Sequence, residues 1–158
     1  MREIRRSALV PATTRRMFEL INDIAAYPAF VPGCSAAAVL EKTPGMLRAR
    51  LTVGSGLLRT SFVTRNTLTP DSLIRMDLEE GPLRSLEGEW QLTPVRHPDS
   101  DLEIGCRVEL HLRFELQGGI AGLAMGPLLE RVAGSLVDAF VAQARLNPAA
   151  SGEAALKT

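Results

Sequence analysis

Two histidines, two cysteines and scattered carboxylates are the groups in this 158-residue chain that could do chemistry. Nucleophilic catalysis needs a hydroxyl or thiol beside a base. His97 falls in a Pro-flanked polar loop, His111 on the polar side of an alternating stretch, and no Ser or Cys has a G-x-S-x-G context. Zinc needs His and Cys at ligand spacing, whereas Cys34 and Cys106 lie far apart with no CxxC. Gly118-Gly119 and Gly122 are not followed by a G-x-G-x-x-G pattern or a Walker Lys. Glu79-Glu80 and Glu87/Glu89 fall on turns or a solvated face. The expectation is a non-enzymatic protein with no catalytic residue, no metal and no cofactor.

The most distinctive stretch is Asp23 to Cys34, which holds the only Tyr, two of the ten Pro and one of the two Cys. Pro28 and Pro32 prevent a regular helix from continuing. Tyr27, Phe30 and Val31 are left as large apolar groups on stiff turns, placed to plug or gate something.

The elements around it follow from periodicity. Ile4 to Val10 reads as a strand ended by Pro11, and Thr13 can cap the next helix. Met17, Leu20, Ile21 and Ile24 form one helical stripe. The pattern then switches to period two. Leu47, Ala49, Leu51 and Val53 alternate with Arg48, Arg50 and Thr52; Ile74, Met76 and Leu78 with Arg75, Asp77 and Glu79. Leu86, Trp90 and Leu92 alternate with Glu87, Glu89 and Gln91, with Gly88 on the apolar side, and Val108 to Leu116 alternate with Glu109, His111, Arg113 and Glu115. Residues 57–68 add another strand without that clean alternation. Short turns at Thr43-Pro44-Gly45, Pro70-Asp71, Gly81-Pro82 and Pro98-Asp99 imply an antiparallel meander covered on one side. From Ile120 to about Arg145 the sequence is helical, with Gly126-Pro127 expected to kink or restart it. Packing that helix across the apolar sheet face gives an α+β fold, a curved sheet of six to seven strands gripping one long helix. Residues 1–147 form one domain and 148–158 a flexible tail.

The inner face is nearly all aliphatic, Gly or Trp, which suits an apolar ligand held by burial and equally suits a filled core. Net charge is zero, which argues against specific DNA binding, yet the first 79 residues carry 11 bases and 7 acids and the rest the reverse. Arg48, Arg50, Arg59 and Arg75 on neighbouring strands could share the outer face and meet ribosomal RNA or anionic lipid, with Glu87, Glu89, Glu109 and Glu115 at the other end. An uncharged run from Leu116 to Leu129 is either buried or touches a membrane surface. Cysteine usage and the lack of an apolar h-region after Met1–Arg6 place the chain in the cytoplasm, with peripheral contact at the inner membrane the other arrangement open to it.

Leu9-Val10-Pro11, Met17-Phe18, Asp23 with Tyr27-Pro28-Ala29-Phe30-Val31-Pro32-Gly33-Cys34, Thr64-Arg65-Asn66, Asp77-Leu78 with Gly81-Pro82-Leu83, Leu86 with Gly88 and Trp90, the Glu109 to Glu115 strand, and Val137 to Phe140 run in one order over residues 4–145. This pattern resembles the coenzyme Q-binding family (START-like, polyketide cyclase/dehydrase-type), which includes a bacterial ribosome-association toxin. The resemblance implies a START/Bet v 1-like helix-grip fold with a hydrophobic tunnel for ubiquinone or a related polyprenyl lipid, serving respiratory electron transport as carrier or chaperone. Its toxin branch implies the alternative, a toxin of a toxin-antitoxin pair that binds the large ribosomal subunit and blocks subunit joining. Gly126-Pro127 departs from the family's uninterrupted helix. On the quinone reading, Phe62, Met76, Trp90, Leu112 and Phe114 from the sheet and Leu123, Leu128, Val132 and Leu136 from the helix line the ligand site, with Tyr27, Phe30 and Val31 as its gate.

Overall fold

The structure, a computed structural model, describes residues 2–146. The expected tail at 148–158 lies outside them. Strand β1 (Arg2–Val10) leads into helix α1 (Thr14–Asn22). Thr13 caps α1 as its residue type predicts, its hydroxyl accepting from the Arg16 N–H at 3.1 Å. A carboxylate distant in sequence adds to the cap: Glu103 accepts from the Thr14 N–H in the first turn.

After α1 the backbone makes a 3₁₀ turn at Ile24–Ala26 and one short helix, α2 (Tyr27–Phe30). The sequence reading excludes regular helix here; the structure corrects that, because Pro28 sits in the first turn of α2, where its missing N–H has no partner to lose.

Strands β2 (Cys34–Thr43), β3 (Met46–Val53), β4 (Thr60–Thr69), β5 (Leu73–Glu80), β6 (Leu83–Arg96) and β7 (Glu103–Leu116) form the meander. β1 pairs antiparallel with β7, so the seven-stranded sheet runs β1-β7-β6-β5-β4-β3-β2. Bulges in β2, β5, β6 and β7 break its register and curve it. Gly88 is required by the curvature: a Cβ there would lie 2.7 Å from Leu112 Cδ1 and 3.2 Å from Met76 Cε, its cross-strand neighbours.

Helix α3 (Ile120–Leu146) crosses the concave face and passes through Pro127 without restarting. The expected restart is absent: Pro127 stands inside the 27-residue helix and removes one backbone hydrogen bond without ending it. The carbonyl it leaves without a donor is that of Leu123, an exposed residue, so water can satisfy it. The buried stripe of α3 is Leu129, Val132, Ala133, Val137, Phe140 and Ala144. On one side Arg2 of β1 bridges to Glu130 at 2.7 Å. On the other, Gly33, at φ +84°, brings the turn before β2 so close that a Cβ would sit 2.6 Å from Val132 Cγ2.

Candidate ligand cavity

Between the sheet and α3 lies a largely enclosed cavity of about 90 Å³. β3 contributes Ala49, Leu51 and Val53, β4 Phe62, β5 Ile74 and Met76, β6 Leu86 and Trp90, and β7 Leu112 and Phe114. These are alternate residues, because successive side chains on a strand point to opposite faces. Helix α3 closes the space with Leu129, Val132, Ala133 and Leu136, and the Asp23–Cys34 stretch with Ile24, Tyr27, Val31 and Cys34.

Nine of the twelve residues expected at a ligand site therefore line this cavity: Tyr27, Val31, Phe62, Met76, Trp90, Leu112, Phe114, Val132 and Leu136. Three do not. Leu123 is 75% exposed; it lies more than a turn before Leu129, the first buried leucine of the stripe, and roughly 100° around the helix from the stripe's centre. Leu128 is half-buried one position off that stripe and packs toward the Gly54 turn, where a Cβ would meet its Cδ2 at 2.9 Å. Phe30 is half-buried and belongs to an aromatic cluster beside the cavity.

That cluster centres on Phe140, which is fully buried and meets Tyr27, Phe30 and Trp90 edge-on at centroid distances of 5.2, 5.4 and 5.4 Å. Tyr27 donates its hydroxyl to the Ile21 carbonyl, satisfying one of the orphan acceptors at the end of α1. Tyr27 and Val31 are thus packed wall residues. The tunnel implied by the resemblance is, in this structure, a cavity smaller than the roughly 150 Å³ void that is known to take benzene.

Sequence reasoning missed Thr64 and Asn66, which face this space from β4 and are buried. The signal was present: both follow Phe62 at steps of two, and cross-strand pairing sets Thr64 against Ala49 and Asn66 against Met76, all on the inner face. The Asn66 Oδ1 has no hydrogen-bond partner among the described residues.

Among the described residues no carboxylate, imidazole or cation lines the cavity. Its titratable groups are Tyr27 and Cys34. Burial pushes the Tyr27 phenol far above its ordinary value, with Cys34 and Asp23 adding to the effect. Burial also raises the Cys34 thiol, opposed by a backbone hydrogen bond with Ala36. Both stay neutral near pH 7, so neither is an acid or base ready for proton transfer. Among the described residues no group of three or more His, Cys, Asp and Glu could hold a metal ion.

The outer face differs from the expected positive half-sheet. Arg48, Arg50 and Arg75 lie there, but Arg59 ends the 3₁₀ turn at Gly56–Leu58 and precedes β4. Arg48 is engaged by Glu79 at 2.7 Å and Glu41 at 3.4 Å, which raises its pKa, and Arg65 also reaches Glu79. At the acidic end Glu87 pairs with Arg113 and Glu115 with Arg84. Arg50, Arg59 and Arg75 are exposed and make no ion pair among the described residues. Among the described residues no helix is long and apolar enough to cross a membrane.

Residues 10–141 match the family described as polyketide cyclase/dehydrase and lipid transport. A protein of Pseudomonas aeruginosa called ribosome association toxin RatA is 42% identical over 142 residues, 90% of this chain and 94% of that protein. The mitochondrial coenzyme Q-binding protein COQ10 of Drosophila melanogaster is 23% identical over 87% of this chain and 56% of its own length. The crystal structure of the Zhui aromatase/cyclase from a Streptomyces species superposes with a TM-score of 0.74 at 19% identity, covering 91% of this chain and 93% of that one, a likeness of fold. A sheet wrapped on one helix around an apolar space, with its sequence matched along most of its length, makes this chain a member of the polyketide cyclase/dehydrase and lipid transport family.

Proposed function

We propose that this protein associates with the ribosome, binding the large subunit and interfering with subunit joining. The observation that carries the reading is the 42% identity, across nine-tenths of the chain, to a ribosome association toxin. Exposed arginines supply a means, two on the outer face and one in the turn before β4. Arg50, Arg59 and Arg75 are exposed cations free of carboxylate partners among the described residues, and Arg side chains are suited to rRNA phosphates. Arg48, already held by Glu79 and Glu41, contributes less. Overexpression followed by sucrose-gradient sedimentation should show free subunits accumulating at the expense of 70S ribosomes. Charge reversal at Arg50, Arg59 and Arg75 should abolish the effect, whereas Arg48→Glu should leave much of it. An unchanged 70S peak on overexpression overturns the reading.

A second reading concerns the cavity. Its apolar lining, without a proton-transfer group, favours holding a small apolar molecule over converting one. A ring-sized head such as that of a quinone is nearer the cavity's scale than a polyprenyl tail, and enters only as side chains such as Met76 yield. Solvent extraction of protein purified from its native host, followed by mass spectrometry, tests this; an extract free of any stoichiometric apolar compound counts against it.

A further inference from the structure

We infer that Asn66 is a polar anchor, and that the cavity selects an apolar molecule bearing one compact oxygen head, a hydroxyl or carbonyl, over a pure hydrocarbon of the same shape. The inference rests on the reading of the cavity as a binding site. Asn66 is only 5% exposed and sits in the middle of β4, paired with Leu47 on β3 and Met76 on β5. Its side chain lines the cavity, and no donor among the described residues reaches its Oδ1. A buried acceptor without a partner costs stability that an apolar residue of similar volume would not. Leu would satisfy this wall's packing as it does elsewhere in the lining, so the folded protein alone gives no reason for an amide here.

A ligand head supplies the reason. An amide presents one acceptor and two donors, and a hydroxyl both donates and accepts, so the pair matches in either orientation of the amide. A carbonyl head is served by the Nδ2 hydrogens. Thr64, two residues earlier on the same face, is a second polar side chain on that wall. The opposite walls, Leu129 and Val132 on α3 and Leu112 on β7, are apolar, which fixes the ligand's polarity as one-sided. Met76, half-buried and unbranched beside Asn66, is a side chain that can yield to admit a ring.

Phenol and toluene are near-isosteric probes that differ in one hydroxyl. Both are titrated into the ¹⁵N-labelled full chain and into Asn66→Leu, with affinities read from chemical-shift changes of cavity-lining amides. The ratio of phenol to toluene affinity should fall about tenfold in Asn66→Leu, and in the unmodified protein the Asn66 side-chain amide should shift with phenol and not with toluene. Without ligand, Asn66→Leu should melt at a higher temperature than the parent chain. Binding of both probes with an unchanged ratio overturns the anchor and leaves the cavity reading standing. No shift with either probe overturns both. Should Asn66→Leu fail to fold, Asn66→Ala and the side-chain amide response of the parent chain decide the same question.

Discussion

The concave and convex faces of this sheet handle polarity by opposite rules. In the cavity of the concave face the titratable groups Tyr27 and Cys34 are held neutral by burial, and the other polar groups, Thr64 and Asn66, carry no charge. On the convex face charge is abundant and mostly cancelled in place, as in the Arg48–Glu79–Arg65 and Arg113–Glu87 pairs. One face can enclose a molecule without activating it. The other meets a polyanion only through the cations its own acids have not engaged. Surface pairs of this kind contribute little to stability, so the comparison implies that substitutions inside are felt by the fold and substitutions outside by partners.

The sharpest way to break that comparison is Phe140→Ala. It removes the ring on which Tyr27, Phe30 and Trp90 converge and should cost about 4 kcal/mol in urea denaturation. A loss under about 1 kcal/mol would mean the inner wall is not a packed unit. Gly33→Ala comes next, at about 3 kcal/mol, since it combines a left-handed backbone with a Cβ driven into Val132. The same denaturation curve would show it, and a neutral result would mean the turn can move away from α3.

Cys106 tests the neutrality of the interior. Burial pushes its thiol up to about 11 from 9, with nearby Glu103 adding. The unfolded chain therefore loses this proton first as pH rises. The thiol has no effect below about pH 8, and stability falls across pH 9 to 11 by about 2 kcal/mol. In Cys106→Ala that part of the alkaline slope should vanish, whatever the change in stability at pH 7; an identical slope would count against a buried neutral thiol. Smallest of all is the effect of reversing Arg50, Arg59 and Arg75 on folding. Their melting temperature should stay within the change expected for about 0.5 kcal/mol even as ribosome association is lost, and a large drop would mean that the convex face is structural after all.

How much of this was legible beforehand differs from strand to strand. β7 alternates apolar and charged residues over its length, so its inner face was readable from Val108 to Leu116. β4 puts Phe62, Thr64 and Asn66 on the same inner face, and Val63 between them is buried as well, so burial does not alternate there. Binary patterning treats polar residues as solvent-facing, so a wall that buries them reads as noise. The same habit placed Leu123 inside by residue type alone, when helical phase turns it to solvent. Phe140 was visible as part of an apolar helix face, but its role as the meeting point of three rings depends on the fold of Asp23–Cys34.

The pairing of β1 with β7 sets Arg2 against Phe114, residues from nearly opposite ends of the described chain. During synthesis the β2–β6 meander can form from neighbours as they emerge, but β1 has no partner until the seventh strand is made. Its exposed edge and the uncovered concave face must both wait for the C-terminal third. Closure should therefore be a late, largely post-translational event. A chain stalled before Leu116 would present an open apolar sheet to chaperones and proteases.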